Sequence, residues 1–262
     1  MMRAVLRLAG VALHLLKGCL LTACVLRFMG PRRRAAVRRR WAQQLLALLG
    51  VHVELSGQPR GAALWVSNHV SWLDVFVLQA LAPVLFVCKD EVRRWPLLGW
   101  LVARHDVLFL RRGNAAAAAG LVAAAARALE DGHCVVVFPE GTCSDGSQVL
   151  HFHAAACEAA VRAGCITQPV ALGYFDAAGL PARQPAYHGD ISLWTSLRAV
   201  AAMPRLAVRV DFLAALPPAG RKLLARRAQT AIGAQLARRA AHAAELPPAC
   251  APRGDVAALA GV

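Results

Sequence analysis

The sequence predicts an α/β fold, a mixed and largely parallel sheet flanked by helices and preceded by N-terminal membrane-associated helices. Three observations carry that expectation. Short apolar blocks recur from residue 51 to residue 213 and alternate with stretches of helical spacing, the pattern of strands interleaved with helices. Blocks such as 134–138, Cys-Val-Val-Val-Phe, are apolar throughout, as strands buried on both faces of a parallel sheet are. The first 30 residues are apolar but punctuated by single basic residues.

Residues 4–29 are interrupted by Arg7, His14, Lys17 and Arg27. The uncharged pieces between them fall short of the ~20 residues that a spanning helix needs. An interfacial or obliquely inserted helix is expected, with the basic stems reaching to the headgroups. Leu21-Thr22-Ala23-Cys24 resembles a lipoprotein cleavage site, but Lys17 leaves too short an apolar run before it for a secretory signal. Arg32, Arg33, Arg34, Arg38, Arg39 and Arg40 follow, with Trp41 behind them. The positive-inside tendency assigns this run to the cytoplasmic face. A second short helix is expected over 41–49, ending at Gly50.

Strands are expected at 51–55, 63–67, 84–88, 107–110, 134–138, 166–172 and 206–213. Helices are expected at 73–81, 154–163 and 191–202, with a short helical or irregular stretch at 95–103. A long Ala-rich helix, capped by Asn114, should end near Asp131-Gly132. Leu224, Ala228, Ile232 and Leu236 recur at i,i+4 and predict an amphipathic helix over 221–240, with a loose tail from Pro247. The chain divides into an N-terminal helical segment (1–50), an α/β domain (51–215) and a C-terminal helix with its tail (216–262).

Apolar residues make up 58%, above the ~45–50% usual in soluble domains. The net charge is +15, from 30 Lys and Arg against 15 Asp and Glu. Such a chain is drawn to polyanions. With only 6% aromatics and no module for reading bases, the expected partner is membrane lipid and not nucleic acid. None of the eight cysteines forms a Cys-x-x-Cys pair, so no metal site is expected, and the thiols read as reduced core residues. His151 and His153 alternate as ligands do, but without a third.

Two stretches carry chemistry. Ser67-Asn68-His69-Val70-Ser71-Trp72-Leu73-Asp74 joins an expected strand to an expected helix. Its spacing lets Asp74 fix the His69 tautomer, so that a neutral imidazole can take a proton from a hydroxyl. Phe138-Pro139-Glu140-Gly141-Thr142-Cys143 lies at the end of a strand, where α/β sheets place their sites. There Gly141 permits close backbone approach, with its N–H available to a developing oxyanion. Taken singly, the two read as a helix cap and an ordinary turn.

Asn-His-x-x-x-x-Asp followed by Phe-Pro-Glu-Gly-Thr resembles the glycerolipid acyltransferase superfamily, most of all its bacterial 1-acylglycerol-3-phosphate acyltransferases. Lys89-Asp90-Glu91 with Pro96 and Gly99, Phe109-Leu110-Arg111-Arg112, and Ile166-Thr167-Gln168-Pro169-Val170 resemble the family's other blocks. The resemblance covers roughly residues 40–215. It implies a membrane enzyme of phospholipid biosynthesis on the cytoplasmic face of a bacterial inner membrane. The enzyme would move a fatty acyl group from acyl-CoA or acyl carrier protein to a lysolipid hydroxyl, without metal, cofactor or covalent acyl-enzyme. His69 and Asp74 would be catalytic. Arg112, Glu140, Gly141 and Thr142 would bind substrate, with Asn68, Lys89, Pro139 and Pro169 as further site candidates.

The expected acceptor is 1-acyl-sn-glycerol-3-phosphate. Cys143, however, stands where phosphate-binding members carry arginine, and His153 where they often carry lysine, which removes fixed positive charge. Lyso-ornithine lipid is the alternative acceptor, since enzymes acting on it often lack that arginine. A thioesterase using the same His would need a nucleophile, and no Gly-x-Ser-x-Gly elbow is present. A non-catalytic basic membrane protein would leave the ordered motifs unexplained.

Overall fold

The fold is taken from a computed structural model, which describes residues 2–94, 98–102, 104, 107–110 and 115–245. Arg112, Pro96, Asn114 and the tail from Pro247 lie outside these residues.

The chain opens with a helical hairpin. Helix α1 (Met2–Leu20) runs on through a π turn (Leu21–Val25) and a 3-10 turn (Leu26–Phe28). Helix α2 (Pro31–Leu49) returns against it. It begins ten residues before the expected helix at 41, so the arginine run lies on a helix and not ahead of one. The cause is local: Pro31 takes the first helical position, where its fixed φ fits and its missing N–H is no loss, and arginine is a good helix former. Gly50 ends α2 at φ 71°, a left-handed conformation that glycine adopts without strain. His14 stacks on Trp41 with centroids 4.6 Å apart. Gly18 lets the indole approach, since a Cβ there would stand 2.8 Å from Trp41 Nε1.

Seven strands form one sheet: β1 (Val51–Ser56), β2 (Leu64–Ser67), β3 (Val84–Lys89), β4 (Val107–Leu110), β5 (Cys134–Val137), β6 (Thr167–Phe175) and β7 (Leu206–Phe212). Their order is β1-β7-β6-β2-β5-β3-β4. Every neighbouring pair is parallel except β6 with β7, so the sheet is mixed and largely parallel. Between and after the strands come α3 (Leu73–Leu81), α4 (Leu98–Val102), α5 (Ala115–Glu130), α6 (Glu158–Ala163), α7 (Leu193–Ala202) and α8 (Arg221–Glu245).

Side-chain alternation along β2 sorts the core into two layers. Trp65 joins Leu45, Leu46, Val77, Leu78 and Val200, from α2, α3 and α7. Leu64 and Val66 join Leu129, Ala160, Leu224, Ala228 and Ile232, from α5, α6 and α8. The apolar stripe read for the last helix is therefore buried on the sheet. Val11 of α1 belongs to the first layer, so the N-terminal hairpin shares the core of the α/β domain.

Candidate active site

Strands β2 and β5 are parallel neighbours, with Val66 opposite Val137. The chain leaves both at the same edge of the sheet, and the two motif loops meet there. Glu140 Oε1 accepts the His69 N–H at 2.9 Å and Oε2 accepts the Leu150 N–H at 3.3 Å. The Ser144 N–H donates to the His69 carbonyl at 2.8 Å. Asn68 ties the β2 loop to β6 in both directions, donating to the Leu172 carbonyl at 2.9 Å and accepting the Leu172 N–H at 2.8 Å. The loop is thus held on both flanks before any substrate arrives.

Helix α3 starts at Leu73, which puts Asp74 in its first turn, where the unpaired N–H groups and the helix dipole favour a carboxylate. Asp74 is fully buried. Its Oδ2 accepts the Val70 and Ser71 N–H groups at 2.8 and 3.0 Å and lies 2.7 Å from His69 Nδ1. Its Oδ1 accepts the Tyr174 hydroxyl at 2.5 Å. An ionised carboxylate only accepts, so Nδ1 carries the proton and Nε2 is left for chemistry. Phe138 stacks on the imidazole at 4.1 Å between centroids and fixes the plane of the ring.

Burial works against a charged His69, but Asp74, by hydrogen bond and charge, and the Cys143 thiol outweigh it and raise the imidazole to about 10. Asp74 therefore favours the protonated ring, which must give up its Nε2 proton before it can act as a base. Burial first, then the facing Asp74, pushes the Tyr174 phenol well above its ordinary value, so Tyr174 stays a donor. Burial also raises Glu140, against the two backbone N–H groups that stabilise its charge.

The other expected site residues fall in different places. Pro139 is buried, and its carbonyl accepts the His153 N–H at 3.0 Å. Thr142 is exposed. Pro169 lies in β6 opposite Val66, inside the sheet and behind the loops. Lys89 ends β3. One expectation needs correction. The Gly141 N–H donates to the Phe138 carbonyl at 3.1 Å in a tight turn at φ 68°, which takes up the donor expected to face an oxyanion. Each Glu140 carboxylate oxygen accepts one backbone N–H, so Glu140 joins the two loops, and each oxygen keeps a further lone pair. Tyr174 was not singled out from the sequence. It sits 100 residues beyond Asp74, in the apolar second half of a strand that opens with Thr167 and Gln168, and nothing in that stretch ties it to the motif loops.

The acyltransferase family model matches residues 50–173, the stretch that holds both loops. A lyso-ornithine lipid O-acyltransferase of Pseudomonas aeruginosa is 39% identical, over 76% of this chain and 78% of that relative. The chain belongs to the acyltransferase family. It is an enzyme that transfers acyl groups. This acyltransferase is also 34% identical to a 1-acyl-sn-glycerol-3-phosphate acyltransferase of Neisseria meningitidis, over 70% of this chain and 71% of the relative. Its fold matches the crystal structure of the 1-acyl-sn-glycerophosphate acyltransferase of Thermotoga maritima with a TM-score of 0.61, over 88% of this chain and 97% of that one, at 18% identity.

Proposed function

We propose that this acyltransferase moves a fatty acyl group from acyl-CoA or acyl carrier protein to a lysolipid hydroxyl, with His69 as the base. The observation that carries the reading is the His69–Asp74–Tyr174 chain at the end of β2, with His69 Nδ1 committed to Asp74 at 2.7 Å. In the deprotonated ring, Nε2 takes the proton of the acceptor hydroxyl as its oxygen attacks the thioester carbonyl. The tetrahedral intermediate expels the thiolate, which recovers that proton from the imidazolium. The products are an ester and a free thiol, and no metal, cofactor or acyl-enzyme takes part.

An apolar cavity of ≈150 Å³ suits part of the acyl chain. It lies between the hairpin (Leu26, Trp41), α3 (Phe76) and the strands β3 and β4 (Phe86, Val107). Phe86 is stacked on Phe138, which connects the cavity to the imidazole. The hairpin residues Met2–Phe28 are apolar and long enough to cross a membrane, which supports association with a membrane, and the arginines that open α2 support the cytoplasmic face of a bacterial inner membrane.

The two acceptors in the names of the relatives, 1-acyl-sn-glycerol-3-phosphate and lyso-ornithine lipid, are the two readings for this chain. Cys143 beside His69, in place of an arginine fork that would hold a phosphate, favours the second. The test follows thiol release from a long-chain acyl thioester with each lysolipid supplied separately. Release should require a lysolipid and fall by about 10²–10⁴-fold in His69→Ala. Equal release without acceptor would make the protein a thioesterase, and full activity in the variant would remove His69 from the mechanism.

A further inference from the structure

The backbone of residues 69–70 carries the imidazole and borders the place where a hydroxyl must reach Nε2. Two surface segments are seated there. On one side, Ser144 donates to the His69 carbonyl at 2.8 Å, and Gly146 lies against Val70, where a Cβ would stand 3.3 Å from Val70 Cγ1. On the other, the Tyr187 N–H donates to the Val70 carbonyl at 2.8 Å, next to a turn closed from the Ala186 N–H to the Arg183 carbonyl. Asp145 projects from the first segment, and Arg183 and His188 from the second.

Asp145 is held in place. Its Oδ1 accepts the Ser147 N–H at 2.9 Å and the Ser147 hydroxyl at 2.6 Å, and no protein group among the described residues bonds Oδ2. The Ser147 bonds keep its carboxyl below the ordinary range, and Arg183 and His188 add to this through space. Yet neither closes on Asp145 as an ion pair among the described residues. A carboxylate oxygen without a protein partner, near an arginine that does not close on it, leaves room for a group bearing both signs.

We propose that Asp145 on one rim and Arg183 with His188 on the other form the acceptor headgroup site, suited to a headgroup that carries an ammonium and a carboxylate. This rests on the reading of the chain as a lysolipid acyltransferase and deepens its second form. The ammonium of an ornithine headgroup meets Asp145, and its carboxylate meets Arg183. A phosphate monoester would gain Arg183 but face Asp145.

The test measures kcat and KM with lyso-ornithine lipid and with lysophosphatidic acid for wild type, Asp145→Asn and Arg183→Gln. Asp145→Asn should raise KM for lyso-ornithine lipid about tenfold, the loss of one charge-assisted contact, and lower KM for lysophosphatidic acid. Arg183→Gln should raise KM for both, since both carry an anion. Equal KM changes for the two lipids in Asp145→Asn, or no change in either variant, would overturn the headgroup site while leaving the acyltransferase reading intact. A wild type that acylates neither lipid would instead remove that reading, and the site with it.

Discussion

At His69 the environment sets reactivity through one carboxylate. Asp74 is buried and saturated by four donors, two of them backbone N–H groups of the loop that carries His69. Neutralising it removes the main cause that lifts the imidazole, while burial continues to press downward. The base acts in its deprotonated form, so Asp74→Asn should move the rising limb of kcat/KM to lower pH. The maximal rate should drop by about 10²–10⁴-fold, because the tautomer is no longer fixed and the imidazolium no longer paired. A pH–rate profile of the variant checks both. The same pair bears on folding. With His69 raised from 6.5 to about 10, its contribution to stability is full below 6.5 and is lost as pH rises through about 10.

At the scale of elements, the site depends on polar clamps between segments distant in sequence. Asn68 is the clearest, since it satisfies both backbone groups of Leu172 inside the sheet. Asn68→Ala would leave a buried N–H and a buried C=O unpaired and should cost about 2–4 kcal/mol, read as a lowered midpoint in denaturant unfolding. The local pattern of Asn-His-x-x-x-x-Asp was legible in the sequence as a strand-to-helix junction, because turn and helix-start chemistry is short-range. The binding partner of Asn68 was not, since Leu172 lies 104 residues away. The start of α2 was misjudged for the opposite reason: a run of like charges reads as a solvated flank, whereas Pro31 and helix-favouring arginines extend the helix through it.

At the scale of the whole molecule, the hairpin both exposes an apolar face and takes part in the core. Leu6, Leu13, Leu16 and Leu20 of α1 are exposed, while Arg7 donates to the Met203 carbonyl at 2.6 Å after α7, and Arg39 and Gln43 of α2 donate to the Ala80 carbonyl of α3. The apolar face is therefore held at a set position relative to His69. Leu13→Glu with Leu16→Glu should abolish vesicle flotation of the protein while leaving its unfolding midpoint nearly unchanged. Binding of the wild type to anionic vesicles should weaken with salt, since each arginine near such a surface contributes about 1 kcal/mol that ions screen.

The sequence by itself determined the seven apolar blocks, the alternation of strand and helix, the stripe of the last helix and the two motif loops. All of these are set by spacing over a few residues, through backbone geometry and the burial of one face. Only the tertiary structure decided that β2 lies between β6 and β5, that Tyr174 closes on Asp74, that Glu140 joins the two loops, and that the segments carrying Asp145 and Arg183 both bond the backbone of residues 69–70. Those pairings arise where strands far apart in the chain become neighbours. Strand order follows from how two helical layers bury both faces of one sheet, a condition on the whole chain that no local stretch carries.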